Sequence, residues 1–553
     1  MFKKRIVTLL IIFNILIFAL IIRIFFLQII DNINLAKLAS IQKITNTTIE
    51  NERGNIIDKN DIPFTNRDTK IVVVLKSLVL RGKETQLKDI CSILNVDYFR
   101  IKREIDFKKE PILFEIDDLK KTQLLKLNEN GISVINSFKR YNKDTLAKHI
   151  LGYLNNIDNI GETGMEKYFQ KYLNQKNEST VGVVLDAKNN LVEGLGYRLY
   201  KSNKVENSLN LRLTLDYHIQ KIVEDVLKEN NITGAVVVED VFNGDILAIA
   251  SEPDFNPNNI DFYLNSDKKE LFNRATASYN LGSIFKIIDV AALLESKLYK
   301  KNDICNCTGF LKLGDKTFNC YSYESGGHGL IDLNNAFALS CNTYFIDMGL
   351  KLGEKRIIDM SRKFGLGSVT GIKDQGVSET AGNINTLKKN ITEGDIANIS
   401  IGQGDIMVTP VQITDIIATI ANGGIKNKIN ILDSFIDNEG NIKINLKNQQ
   451  SERIISKETS NTLMKLMEKV VSYGTGKKIN LEKIGGAAGK TGSAETGQYY
   501  SGQKVVHAWF AGYFPKANPK FAISVFVENG KSGGEIAAPI FSKIAEEIIK
   551  TVY

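Results

Sequence analysis

The stretch Tyr279-Asn280-Leu281-Gly282-Ser283-Ile284-Phe285-Lys286 opens a run with no evident polar face, for Ile287, Ile288, Val290, Ala291, Ala292, Leu293 and Leu294 follow. A helix apolar all round is a buried helix. Its first turn therefore holds a serine and a lysine in a dry place. Ser283 and Lys286 are three apart and face the same side of the helix. Burial disfavours a charged lysine, and a neutral lysine beside a hydroxyl is a general base beside a nucleophile. Ser283 at the helix start also meets free backbone N–H groups suited to a developing oxyanion. The plainer alternative is an N-cap serine with a lysine snorkelling to water.

Two further motifs weigh against the plainer alternative. Ser340-Cys341-Asn342 lies downstream, and Lys490-Thr491-Gly492-Ser493 follows a Gly/Ala-rich approach. The ordered set Ser-x-x-Lys, Ser-x-Asn, Lys-Thr-Gly occurs in penicillin-binding proteins and class A β-lactamases. In these motifs the chain resembles a class B penicillin-binding protein of the elongation or sporulation type, a membrane-anchored D,D-transpeptidase of cell-wall synthesis. The resemblance runs through nearly the whole chain. Leu281 stands where family members usually carry Pro, Cys341 fills the free position of Ser-x-Asn, and Ser493 replaces the commoner Thr. No reacting group is lost.

The 553 residues exceed one ordinary domain, and 43% hydrophobic with 24% charged residues is globular composition. A net charge of +8 spread over this length, without a basic stripe and interleaved aromatics, argues against nucleic acid as a partner. Lys3, Lys4 and Arg5 precede an apolar run from Ile6 to Ile30, interrupted by Thr8, Asn14, Arg23 and Gln28. About 20 apolar residues span a bilayer. The basic flank places residues 1–5 in the cytoplasm, residues 6–30 as a single-pass anchor in the bacterial cytoplasmic membrane, and the remainder outside. A cleaved signal peptide is disfavoured by the length of the run and the lack of a small-residue cleavage site. The run Arg23 to Gln28 also resembles the end of the anchor in this family.

Residues 31–205 carry Arg53-Gly54-Asn55-Ile56-Ile57-Asp58-Lys59-Asn60, Arg140-Tyr141, His149, Gly152-Tyr153 and Gly161 to Lys167, which match the family in order. The resemblance implies an elongated pedestal here, of the penicillin-binding protein dimerisation type, and a transpeptidase domain over 206–553. The implied fold is α+β, an antiparallel five-stranded sheet with helices on both faces. Strands are expected over Leu211–Asp216, around the Asn243-Gly244 hairpin, at Lys490–Ser493, and over His507–Tyr513 and Phe521–Glu528, with a closing helix over Ala537–Ile549. Asn398 to Gly404 and Val408 to Gln412 resemble a fold-forming segment of the family. No glycosyltransferase is expected before the pedestal, and no repeat modules after the closing helix.

The resemblance also implies the roles. Ser283 attacks the carbonyl between the terminal D-Ala residues of a peptidoglycan stem peptide, and Lys286 takes its proton. Ser340 passes a proton toward the leaving amine, and Asn342 orients Lys286 and the substrate amide. Lys490 supplies positive charge near the terminal carboxylate, which Thr491 and Ser493 hydroxyls also meet at the Gly492 strand. Backbone N–H groups of Ser283 and Ser493 form the oxyanion hole. β-Lactams acylate Ser283. A polytopic glycosyltransferase is the implied partner. Other readings are a serine β-lactamase, which needs an activated water and makes the anchor surplus, and a β-lactam sensor or scaffold.

Cys305, Cys307, Cys320 and His328 lie within 24 residues, with glycines able to fold loops round an ion. Three thiols and an imidazole form a structural zinc set. Some class B members carry a metal in this insert, and Asp303 is the alternative to Cys305. A disulfide from Cys320 to Cys305 or Cys307, or free thiols, are the competing readings. Cys91 and Cys341 are expected to be plain buried residues.

Overall fold

The computed structural model describes residues 2–26, 44–51, 53–107, 111–127, 129, 131–155, 159–174, 178–184, 197–201, 209–300, 303–384, 391–500 and 502–552. The expected end of the anchor at 27–30 and the expected boundary at 205/206 lie outside the described residues.

The chain forms two compact units. The smaller comprises Met1–Arg53, Asp68–Lys139 and Asn174–Asn207. Its first helix, α1 (Phe2–Phe25), contains a 21-residue stretch, Arg5–Phe25, long and apolar enough to cross a membrane, with a mean hydropathy of 2.8. This unit also holds a sheet of strands Ile44–Asn51, Glu178–Val184 and Tyr197–Lys201, and a second of Ile112–Ile116, Asp68–Leu75 and Ile132–Lys139.

The larger unit comprises Gly54–Arg67, Arg140–Leu173 and Ser208–Tyr553. It departs from a single linear cut for two reasons. Ile56 and Ile57 pair in parallel with Leu211 and Arg212. Leu146, Ile150, Leu151, Met165, Phe169 and Leu173 bury their side chains in its main core.

The centre of this unit is a five-stranded sheet. Its strands, in chain order, are β1 (Gly234–Asp240), β2 (Ile246–Glu252), β3 (Ala488–Tyr500), β4 (Gln503–Phe514) and β5 (Phe521–Val527). The spatial order is β2-β1-β5-β4-β3, every pair antiparallel. Side chains alternate across a strand with period two, and both faces here are apolar. Ala235 and Val237 join the core on one face with Trp509, Ala511 and Tyr513. Val236 and Val238 join the other with Ala508, Phe510 and Phe514. Helix Pro410–Ala421, buried at every position, is capped by Thr409 and Gln412 and covers the first face. Helices Tyr217–Glu229 and Ala538–Val552 cover the second.

The stretch that opened the sequence analysis is not one helix. Tyr279 and Asn280 pair with Val408 and Met407, Gly282–Phe285 is a 3₁₀ turn, and the helix proper, α2, runs Lys286–Glu295. The segment Asn398 to Gly404 holds this turn. Gly282 N–H donates to the Gly402 carbonyl at 2.9 Å. Gly402 has φ +69°, and a Cβ there would collide with the Gly282 carbonyl. Gly282 itself has φ +63°, and a Cβ would collide with the Ser493 carbonyl. Glycine is needed at both places for backbone approach and for left-handed φ. Gly402→Ala should therefore destabilise the larger unit by about 2 kcal/mol or more, strain and overlap adding. Thermal unfolding of the variant beside the parent protein reads this directly.

Candidate active site

The three motifs converge on one cleft of about 510 Å³, lined in part by Ser283, Ser340, Asn342, Thr475, Thr491 and Ser493. Each arrives from a different element. Ser283 sits in the turn ahead of α2. Ser340 lies between helix Leu333–Ala338 and helix α3 (Asn342–Leu352), with φ +53°. That conformation is strained for a residue with a Cβ. It fits the tight corner that turns the Ser340 hydroxyl into the space between two lysines. Thr491 and Ser493 lie on edge strand β3.

The two lysines are fully buried beneath the cleft. Lys286 Nζ donates to Asn342 Oδ1 at 2.7 Å, to the Ser340 carbonyl at 2.8 Å and to Ser340 Oγ at 3.2 Å. Lys490 Nζ donates to Ser340 Oγ at 3.0 Å and to the Thr491 carbonyl at 3.2 Å. One hydroxyl thus bridges both amines. The rings of Phe345 and Phe337 lie 5.2 and 5.7 Å from Lys286 Nζ and Lys490 Nζ. Burial pulls the Lys286 amine down to about 8. Lys490 is pulled well down, first by burial and then by the charge on Lys286.

The remaining contacts fix the walls. Asn342 Nδ2 donates to the Asn319 carbonyl at 3.0 Å, tying Ser-x-Asn to the cysteine-rich insert. Thr491 Oγ1 meets Thr475 Oγ1 at 2.6 Å, and Ser493 Oγ accepts from the Gly533 N–H at 3.2 Å. Gly492 lets β3 approach the Leu281 carbonyl and receive Gly533 closely. Trp509 Nε1 donates to the Asn280 carbonyl at 3.0 Å and pins the strand before the serine turn to β4. Thr475 and Gly402 were not singled out as site residues from the sequence. The only signal was their place in Gly-rich segments just before Lys-Thr-Gly and beside the turn.

The insert changes one expectation. Cys307, Cys320, His328 and Cys341 bring their ligand atoms within 4.8 Å of one another. Cys305, expected as the fourth ligand, lies outside this group and is half-buried on a short strand, Ile304–Cys307. Asp303, its alternative, is exposed and also outside. Cys341, expected to be a plain buried residue, takes the place instead. It caps α3, and that helix start delivers its sulfur under the insert. His328 Nδ1 faces Cys307 Sγ at 3.4 Å and Cys320 Sγ at 3.6 Å, while its buried Nε2 has no partner. The five cysteines are free, so the disulfide reading is not realised. A buried set of three thiols and an imidazole at this spacing fits a tetrahedral metal site.

The comparisons with known proteins agree with this geometry. The family model for the penicillin binding protein transpeptidase domain matches residues 234–546, and that for the penicillin-binding protein dimerisation domain matches 48–204. The chain is 29% identical, over an alignment of 573 residues, to stage V sporulation protein D of Bacillus subtilis (strain 168), covering 99% of this chain and 85% of that one. It is 27% identical over 574 residues to peptidoglycan D,D-transpeptidase FtsI of Buchnera aphidicola subsp. Baizongia pistaciae (strain Bp), covering 99% and 95%. A solved chain from a study of polymerization and crosslinking by a peptidoglycan synthase complex shares the fold, with TM-score 0.73, 23% identity and coverage of 99% and 98%. The chain belongs to the penicillin-binding protein transpeptidase family.

Proposed function

We infer that the chain is a peptidoglycan D,D-transpeptidase that cross-links stem peptides through an acyl-enzyme on Ser283. The observation that carries this reading is the single Ser340 hydroxyl bonded to both Lys286 and Lys490 at the floor of the Ser283 cleft.

In the first step Ser283 Oγ attacks the carbonyl between the two terminal D-Ala residues, and Lys286 Nζ takes its proton. The new oxyanion is met by backbone N–H groups of Ser283 and Ser493. The terminal carboxylate of the substrate docks against Thr491 and Ser493, with Lys490 beneath. A buried amine facing an arriving anion holds its proton more readily. Substrate binding therefore draws the positive charge toward Lys490 and leaves Lys286 neutral when the base is needed. The C–N bond breaks as Ser340 Oγ passes a proton to the departing D-Ala amine and is reprotonated from the lysines. An amine from a neighbouring stem peptide then attacks the ester and frees Ser283. β-Lactams enter the first step and stall at the ester. A serine β-lactamase on the same motifs would instead hydrolyse that ester quickly.

We assign a structural zinc to Cys307, Cys320, His328 and Cys341. When bound, it would supply a cross-link rather than chemistry. Two of its ligands are neighbours of site residues in sequence: Cys341 lies between Ser340 and Asn342, and Cys320 follows Asn319, which accepts from Asn342. We also place residues 1–5 in the cytoplasm, 6–30 in the membrane, and the pedestal and transpeptidase domains outside. There a polytopic glycosyltransferase would supply the glycan strands to be linked.

Four outcomes are expected. A fluorescent penicillin should label the full chain stably, and Ser283→Ala should abolish the label; label that vanishes within seconds would point to a β-lactamase. The acylation rate should rise with pH through about 8, since burial lowers Lys286 to there and only its neutral form accepts the serine proton. A stopped-flow pH series checks it, and a flat profile would exclude Lys286 as base. Purified protein should carry about one zinc per four-ligand set. Chelation or Cys341→Ser should slow acylation roughly a hundredfold, as expected for Ångström-scale misplacement of a reacting group, while far-ultraviolet dichroism stays unchanged.

A further inference from the structure

The two hydroxyls assigned to the terminal carboxylate, on Thr491 and Ser493, each touch a neighbouring loop. Thr491 Oγ1 meets Thr475 Oγ1 at 2.6 Å, and Ser493 Oγ accepts from the Gly533 N–H at 3.2 Å. The two loops also meet each other, for a Cβ on Gly534 would lie 2.5 Å from the Thr475 carbonyl oxygen. Both loops run on to charged residues that line the cleft, Lys477 and Lys478 from one and Glu535 from the other. All three are exposed. Among the described residues lining the cleft, they are the only Lys, Arg, Asp or Glu side chains. The rim is therefore charged at one end, the end from which D-Ala departs in the scheme above.

Glu535 is ion-paired to Lys478, whereas Lys477 makes no ion pair among the described residues. The positive charge left at this end is thus carried by Lys477. The donor carboxylate already has two hydroxyls beside it and Lys490 beneath, so the acyl-transfer scheme gives Lys477 no role. The acceptor uses the same end. By microscopic reversibility its nitrogen takes the place that the D-Ala nitrogen left. In D-Ala the carbon next to that nitrogen bears a carboxylate. An acceptor built the same way would meet the same hydroxyls and pass Lys477 on its way in.

We propose that Lys477 is a specificity-determining residue for the acceptor, favouring an amine whose own carbon bears a carboxylate, as in a diamino dicarboxylic acid, over the plain side-chain amine of a lysine. The proposal rests on the transpeptidase reading. The neutral amine forms a C–N bond to the ester carbon, the bond from that carbon to Ser283 Oγ breaks, and the amine proton passes through Lys286 to Ser283 Oγ. Lys477 takes no part in these bonds. It acts on the acceptor carboxylate through an exposed charge, so its effect is modest and weakens as salt screens it.

The test uses full-length protein in detergent, acylated by a thioester analogue of the stem peptide whose leaving group is a thiol rather than D-Ala. The acyl-enzyme then partitions between water and an added amine, and that ratio does not depend on how fast the ester formed. The amines are D-alanine and D-alaninamide, which differ in the carboxylate, compared per neutral amine. The parent protein should favour D-alanine. Lys477→Gln should lower the partition ratio for D-alanine about two- to fivefold, the scale of one exposed ion pair, and leave that for D-alaninamide unchanged. Lys477→Glu should lower it further, and high salt should shrink the preference of the parent toward that of Lys477→Gln. An equal fall for both amines is the mark of a distorted cleft and would overturn the proposal. So would an unchanged D-alanine ratio in both variants. An acyl-enzyme that still forms in Ser283→Ala would remove the transpeptidase reading itself, and the role of Lys477 with it.

Discussion

Two amines, both out of contact with water, share one hydroxyl. That arrangement sets the terms for everything around it. Lys286 and Lys490 are fully buried, and each donates to Ser340 Oγ. Two ammonium ions at that separation in a dry interior repel each other strongly, and each also loses its hydration. The site therefore holds its charge loosely. A proton displaced by an arriving carboxylate or released by a serine has somewhere close to go. Chemistry that moves one proton from nucleophile to leaving group needs such a poised relay more than it needs a single strong base.

Holding the relay costs stability, and the fold offsets that cost locally. Carbonyls of Ser340 and Thr491 and the side chain of Asn342 accept from the amines, and two phenyl rings lie near them. Ser340 accepts a left-handed backbone. Such strain persists only where the surroundings over-determine it. Here the surroundings are a sheet apolar on both faces, with helices packed over each. Glycines 282, 402 and 492 then let three backbone segments meet at distances a side chain would forbid.

Much of this was legible in the chain. The order of the motifs located Ser283, Lys286, Ser340, Asn342 and Lys490, and the structure gathers them around one cleft and its floor. The hairpin signal after Ala235–Asp240 and the alternation in Phe521–Glu528 marked sheet strands, which the structure places side by side. The parts that were not legible depend on contacts distant in sequence. Cys341 is thirteen residues past His328, and its sulfur reaches the Cys/His cluster because a helix starts there. Cys305 has the right local spacing, and yet it stays outside. Spacing along a strand does not say which side chains a distant helix will meet. The continuous helix expected with Ser283 at its start became a 3₁₀ turn followed by α2. Hydrophobic pattern alone does not separate those two, and the deciding contact comes from Gly402. Asp289 is the one charged residue in the run Ile287–Leu294, and its burial does not follow from the hydrophobic pattern.

The cysteine-rich insert and the catalytic corner share a backbone. Ser340 and Asn342 flank a candidate ligand, and Asn342 is bonded to the residue before another. A corner held in a left-handed conformation has a low-energy alternative to relax into whenever its neighbours loosen. The core beneath it fixes Phe337 and Phe345, but the insert above consists of short strands of four residues each, too few to be stable alone. The insert packs on α3 and buries Cys307, Cys320 and Ile331 in the main core. A cluster of three thiols and an imidazole with one imidazole nitrogen left buried and unpartnered is the natural fastener. A metal held there would do no chemistry, yet it would steady the hydroxyl that both lysines share, because Ser340 is next to Cys341.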